Sequence, residues 1–234
     1  MTEIMYRALM ENLPGTGLRI SEETARKLCD FGAAVVKQNE VMNLTAITEP
    51  AQVAKLHLLD SLTVLMAADL NGKTLIDVGC GAGFPGVPIA AAVKSCSVTL
   101  LDSLGKRMTW LEQILPTLDI PAACVTARAE EYALAHRGQF DYATSRAVAR
   151  LNILLELTAP FVKVGGAVLA MKGAAAREEL AEAKNAVAKL GLQVENILDF
   201  DIDGATHSVI VLRKIKPTPP QYPRRFAKIK QNPL

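Results

Sequence analysis

The chain has 234 residues, 50% hydrophobic and 21% charged, with a formal net charge of +2. That is ordinary globular composition, long enough to bury a full core, and the near balance of charge excludes a chain held to a polyanion by bulk charge alone. No apolar run reaches bilayer length, Cys29, Cys80, Cys96 and Cys124 form no close pair, and His57, His136 and His207 show no metal-ligand spacing, so a soluble, cytoplasmic, metal-free protein with reduced thiols is expected.

Residues 1–72 read as a helical extension. Ser21 is a fitting N-cap before Glu22 and Glu23, and Leu28, Phe31, Val35 and Val36 recur at helical spacing. Pro50 suits a first helical position, and Val53, Leu56, Leu59, Leu62 and Leu65 continue one stripe until Asn71-Gly72. The connection between the helices, "NEVMNLTAITEP", is polar and expected at the surface. His57 and Asp60 lie on the second helix as a candidate acid–base pair, with a surface or capping role weighing equally.

From Lys73 to Lys214 short apolar runs alternate with helical stretches. The runs are "TLIDV", "SVTLLD", "AACVTA", "FDYATS", "GAVLAMK", "LQVENILDF" and "HSVIVLRK". Strands separated by helices imply right-handed crossovers and a parallel sheet covered on both faces. The last two runs have only "DIDGAT" between them, too little for a crossover, so they are expected to pair antiparallel. The stretch "AAAREELAEAKNAVAKLG" reads as one helix closed by Gly191. Residues 215–234 form a basic, Pro-containing tail. Between Gly204 and Leu234 there are seven Lys or Arg and no Asp or Glu, which leaves the rest of the chain at about −5. A solvated terminus and a phosphate-contacting arm fit this tail equally.

Ligands of such sheets bind beyond the carboxyl ends of the strands. There stands "DVGCGAGFPGVP", whose Gly81, Gly83 and Gly86 spell a dinucleotide fingerprint with Asp102 at the end of the next strand. Pro85 and Pro88 lack amide hydrogens, so the turn is poorly supplied with donors for a pyrophosphate. Asp77, read as a carboxylate at the mouth of the strand, would repel that bridge and attract a sulfonium. The pattern therefore favours S-adenosylmethionine over NAD, with Asp102 accepting from ribose hydroxyls. Cys80 reads as a space-filler in the turn and Trp110 as core. Arg146 and Lys172, at the ends of the fourth and fifth strands, are candidates for ligand contacts.

Taken together, "NLTAIT", "HLLDSL", "DVGCGAGFPGVPIA", "LLDSLGKRMTWL", "ARAEE", "SRAVA" and "MKG" resemble the small-subunit ribosomal RNA methyltransferase G family, also called glucose-inhibited division protein B. The resemblance runs from about Asn43 to Gly173. It implies an α/β fold of the class I S-adenosylmethionine-dependent methyltransferase (Rossmann-like) type: a mostly parallel seven-stranded sheet with one antiparallel strand, plus the N-terminal helical cap. It implies methyl transfer to N7 of a guanine in the decoding-region loop of 16S ribosomal RNA, as naked RNA or in the small ribosomal subunit. It places Gly79, Phe84, Ala129, Glu130 and Arg146 at the cofactor. Asp77, Gly81 and Asp102 join them on the argument above, and Asn43, Arg128 and Lys172 are expected on the substrate side as catalytic residues.

Guanine N7 carries a lone pair and no hydrogen, so no general base is required. In keeping with that, "SRAVA" follows the fourth strand where a methylase of exocyclic amines would carry an Asn/Asp-Pro-Pro-aromatic tetrad. Lys106 and Arg107, the tail and the N-terminal cap are candidates for holding phosphates. The alternatives are an NAD-dependent oxidoreductase and a non-catalytic RNA-binding assembly protein.

Overall fold

Seven strands form one sheet in the order β3-β2-β1-β4-β5-β7-β6 in the computed structural model, which describes Met1–Leu234. They are β1 (Thr74–Val78), β2 (Ser97–Asp102), β3 (Ala123–Thr126), β4 (Phe140–Arg146), β5 (Val162–Lys172), β6 (Leu192–Ile202) and β7 (Ala205–Lys214). The first five pair in parallel, and β7 runs antiparallel to both β5 and β6. The reversed strand is thus the last in sequence but not at the edge, because only Asp203 and Gly204 join β6 to β7 and both have positive φ, 56° and 76°. Such a turn folds one strand directly back on its neighbour. Strand order reverses between β1 and β4, which puts a crevice beyond their carboxyl ends.

The N-terminal region comprises α1 (Thr2–Thr16), α2 (Glu22–Asn39) and a continuous helical run. That run is α3 (Pro50–Val53), a π turn (Ala54–Leu59), α4 (Asp60–Leu62) and a 3₁₀ turn (Thr63–Met66). Ser21 caps α2 by accepting the Thr24 amide at 3.1 Å, and Pro50 occupies a first-turn position. The run stops at Met66, short of the expected Asn71-Gly72. Ser61 and Thr63 turn their hydroxyls back onto the carbonyls of His57 and Asp60, a pattern that bends and loosens helices.

Beyond β1 lie α5 (Gly86–Ala92), α6 (Gly105–Thr117), α7 (Ala129–Ala135), α8 (Leu151–Thr158), α9 (Ala176–Glu182), α10 (Lys184–Lys189) and α11 (Phe226–Gln231). The helix expected over 174–191 is two, interrupted at Ala183 alone. Hydrogen bonds continue across the break, from the Ala183 amide to Glu179 and from the Val187 amide to Ala183.

One sheet face is covered by the N-terminal helices with α5 and α6, the other by α7 to α11. Residues of α1 and α2 share one core with Leu75 of β1 and Leu100 of β2, so the helical extension is part of the same packed body. Phe31, fully buried, lies edge-on to Phe84 at 5.4 Å and stacked on Trp110 at 6.3 Å. Burying such a ring contributes about 2–3 kcal/mol.

The tail is neither free nor wholly extended. Its α11 packs on α8, and Tyr222 and Ile229 join the second core. Arg213 pairs with Glu195, Arg224 with the fully buried Glu156, and Lys214 is buried against Ala159 O and Thr218. Lys214 and Arg224 are therefore engaged inside the fold and Arg213 in a partly exposed pair, leaving Lys216, Arg225, Lys228 and Lys230 exposed.

Candidate active site

The glycine turn after β1 is shaped by hydrogen bonds that point inward. The amides of Gly79 and Cys80 reach Leu101 O at 2.7 and 3.1 Å, and those of Gly83 and Phe84 reach Cys80 O. The Gly81 amide donates to Asp102 Oδ2 at 2.9 Å, the Gly86 amide to Asp77 Oδ2 at 2.7 Å, and the Val87 amide to Gly83 O. Pro85 and Pro88 have no amide hydrogen. From Gly79 to Pro88 only Ala82 keeps an unengaged amide, so the turn offers no nest of N–H groups to an anionic bridge.

Two glycines are required by close approach. At Gly79, φ is +73° and a Cβ would lie 2.5 Å from Val148 Cγ2. At Gly86 a Cβ would meet Leu100 at 2.3 Å and the Asp77 carboxylate at 2.8 Å, so the start of α5 can lie on the sheet only without a side chain.

Asp77 is corrected by the structure. Alternation along β1 puts it on the face of Leu75, under α5, where it is 0% exposed and absent from the cavity wall. Burial pushes its carboxyl up to about 7, against a lowering by the Gly86 amide. It braces the turn from behind. The fixed charge at the strand mouth that the sequence suggested is not there.

In front of the turn lies a cavity of about 580 Å³, within the range of cofactor sites. Gly79, Gly81 and Phe84 form one wall, Asp102 a second, and Arg128, Ala129 and Glu130 before and within α7 a third. Arg146 closes the fourth side. Eight of the expected residues converge here. Asp102 accepts the Gly81 and Leu104 amides, one on each oxygen at 2.9 Å, which fixes its carboxylate while leaving each oxygen a further lone pair. The Cys80 side chain is packed on Met108 Sδ at 3.7 Å, and burial pushes its thiol far above the usual value, consistent with a filler.

Arg146 is tied by geometry that the π turn supplies. Nη1 donates to Leu56 O and to Asp60 Oδ2, both at 2.9 Å, and Nη2 reaches His57 Nδ1 at 3.2 Å. The guanidinium also sits 5.2 Å over the Phe84 ring. His57 stacks on Phe84 at 4.8 Å and its Nε2 meets Thr45 Oγ1 at 2.7 Å. Burial and then the Arg146 charge push His57 down to about 4, so the ring is neutral, with Nδ1 3.0 Å from Leu56 O and 3.2 Å from Arg146 Nη2. Asp60 Oδ1 holds His207 Nδ1 at 2.8 Å, which raises the His207 pKa. His57 and Asp60 are thus bound through Arg146 and do not form an acid–base pair with each other.

Two expected substrate-side residues stand apart from this cavity. Asn43 is exposed and outside the wall; its carbonyl accepts Arg107 Nη2 at 2.9 Å, while Leu44 and Thr45 after it do line the cavity. Lys172 lines the adjoining cavity instead. Sequence reasoning missed Val148, Thr45 and Phe226 as wall residues. Val148 stands within "SRAVA" and Thr45 within "NLTAIT", so both were in view. Phe226 has no local signal, since only the docking of the tail brings it to the cavity.

The arrangement fits S-adenosylmethionine: inward-turned amides, a fixed carboxylate at the end of β2 for ribose hydroxyls, and an aromatic and apolar wall. The fold agrees. A SAM dependent methyltransferase from Aquifex aeolicus superposes with a TM-score of 0.55, covering 77% of this chain and 97% of that one at 16% identity. TYW2 of M. jannaschii, in complex with AdoMet, superposes at 0.56, covering 68% of this chain and 76% of that one at 15% identity. The chain is a class I S-adenosylmethionine-dependent methyltransferase. Residues 24–208 match the family described as GidB, rRNA small subunit methyltransferase G. The chain is 41% identical to the ribosomal RNA small subunit methyltransferase G of Leuconostoc citreum, over 97% of this chain and 98% of that one. The Alkaliphilus metalliredigens protein of the same name is 40% identical, over 93% and 94%. The chain belongs to the rRNA small subunit methyltransferase G family.

No helix is long and apolar enough to cross a membrane, and no group of three or more His, Cys, Asp or Glu is placed to hold a metal ion.

Proposed function

We propose that this enzyme, in the cytoplasm, methylates N7 of one guanine in the decoding-region loop of 16S ribosomal RNA, presented as RNA or within the small ribosomal subunit. The observation that carries this reading is the wall at the end of β4. His57 there is neutral, with both ring nitrogens engaged, and Arg146 is a cation bound on three sides. Neither is free to take a proton, which suits an acceptor with none to lose. Held between Asp102, the glycine turn and Arg146, S-adenosylmethionine would supply an electrophilic methyl on cationic sulfur, which suits a lone pair such as that of N7.

The chain's own contribution is alignment, an effect worth roughly 7–11 kcal/mol in well-oriented cases. Asp102 and the inward-turned glycine loop set the cofactor's position, and Arg146 and Val148 set the approach from the neighbouring cavity. The base must leave its stack to enter. Arg128, Lys106, Lys228 and Lys230, exposed and outside any ion pair, are suited to phosphates, and Asn43 is retained as a residue on the substrate side.

Primer extension after strand cleavage at methylated guanines, on RNA from cells with and without the gene, tests the reading. One gene-dependent stop in the decoding-region loop is expected, and its absence refutes the assignment. In binding titrations RNA affinity should fall steeply with salt while cofactor affinity changes little. Equal salt dependence would count against this division of roles.

A further inference from the structure

A second cavity, about 690 Å³, adjoins the first across Arg146, Ala147 and Val148 and shares His57 with it. It lies at the carboxyl ends of β4 and β5, with Met171 and Lys172 on one side and Glu179 of α9 on another. Its charged groups are nearly all engaged. Asp60 gives one oxygen to Arg146 and the other to His207. Lys172 Nζ donates to Ala149 O at 2.6 Å and pairs with Glu179 Oε2 at 2.8 Å. The same Oε2 accepts the Leu151 amide at 2.7 Å. Arg150 turns to Glu182 at 2.5 Å.

One acceptor is left over. Glu179 Oε1 has no partner, although the side chain is only 16% exposed and its other oxygen is held by a cation and an amide. A carboxylate locked in this way presents an oriented acceptor to whatever enters the cavity.

We propose that this second cavity receives the target guanine and that Glu179 Oε1 reads its Watson–Crick edge. The inference rests on the guanine-N7 reading above. Guanine carries its N1–H and N2 amino donors on one side of the ring system and N7 on the other. A base held by Glu179 can therefore turn N7 toward the partition it shares with the cofactor cavity. Adenine offers a lone pair at N1, which a carboxylate repels. Glu179 is then a specificity-determining residue, and Lys172 is a positioning residue that fixes its orientation.

Inosine, which lacks the N2 amino group, is the probe. Single-turnover methyl transfer is measured on small subunits reconstituted with 16S RNA carrying guanosine or inosine at the mapped position, with the parent enzyme and Glu179→Gln. The parent should prefer guanosine by roughly tenfold or more, as expected for loss of a hydrogen bond to a charged group, and Glu179→Gln should shrink that preference at least fivefold. Equal slowing on both nucleosides, with the preference intact, would show a purely structural Glu179 and overturn the assignment. Cofactor titration of both enzymes checks that the variant is folded. If it is not, Glu179→Asp, which keeps the charge near Lys172 but withdraws it by one methylene, should lower the preference in the same direction. A parent enzyme that leaves guanine N7 unmethylated refutes the underlying reading before the variants are compared.

Discussion

Asp77 holds the Gly86 amide at 2.7 Å through Oδ2, while its equally buried Oδ1 has no partner at all. The chain keeps a half-satisfied carboxyl beneath the turn that faces the cofactor cavity. Its burial, resisted only in part by that amide, lifts the folded-state pKa from 3.8 to about 7.

The sign of the resulting pH dependence follows from linkage. A raised folded pKa gives stability that is complete below about 3.8 and is lost as pH rises through about 7. Asn at this position can still accept from Gly86 and never ionises. Relative to the parent, Asp77→Asn should gain stability between pH 4.5 and pH 8, by on the order of 2 kcal/mol or more. Urea unfolding at the two pH values measures it, and parallel behaviour of the two proteins would refute a protonated Asp77.

Arg146 holds Leu56, Asp60 and His57 together against Phe84. Lysine lacks the planar fork that spans all three. Arg146→Lys should lose about 1–3 kcal/mol of stability and weaken cofactor binding at least tenfold. Removing the charge with Arg146→Met should let the His57 pKa rise from about 4, though not fully, since burial is the larger cause. Imidazole NMR titration follows this directly; an unmoved His57 would mean that Arg146 does not act on it.

Val148 occupies the space that a side chain at Gly79 would need. Gly79→Ala should cost about 1 kcal/mol for the positive φ and a similar amount for displacing Val148. Adding Val148→Ala should recover the second part and leave the first. Thermal unfolding of the four proteins of this cycle gives the coupling, and strict additivity would show that the two positions do not touch.

Arg224 binds the fully buried Glu156 through Nε, Nη2 and its own amide, at 2.6–2.8 Å. Arg224→Ala leaves that carboxylate uncompensated and should cost about 3–5 kcal/mol. A loss below about 1 kcal/mol, the level of an exposed pair, would mean that the tail is not docked as described.

Much of this architecture was written locally. The apolar runs became seven strands because strands covered on both faces read as short continuous apolar runs, and the brevity of "DIDGAT" forced the antiparallel pair. The glycine turn was legible for the right ligand but through a partial reason. Two prolines remove two donors, whereas most of the amides are silenced by Leu101, Cys80, Gly83, Asp77 and Asp102, partners that only the folded turn supplies. The depth of Asp77 follows from its place in a strand buried on both faces, between Ile76 and Val78. The π turn that aligns Leu56, His57 and Asp60 on Arg146 has no sequence mark, since it depends on a side chain 90 positions from Leu56.

Phe226 and Leu44 bound the same cavity from opposite ends of the primary structure. A protease nick between Lys214 and Arg224 that released the downstream piece would leave every strand in place while stripping one wall from the chamber. The surviving fragment would lose Phe226 from the cavity and leave the buried Glu156 without Arg224. The same docked segment thus closes the ligand chamber and neutralises a buried charge on the far side of the sheet.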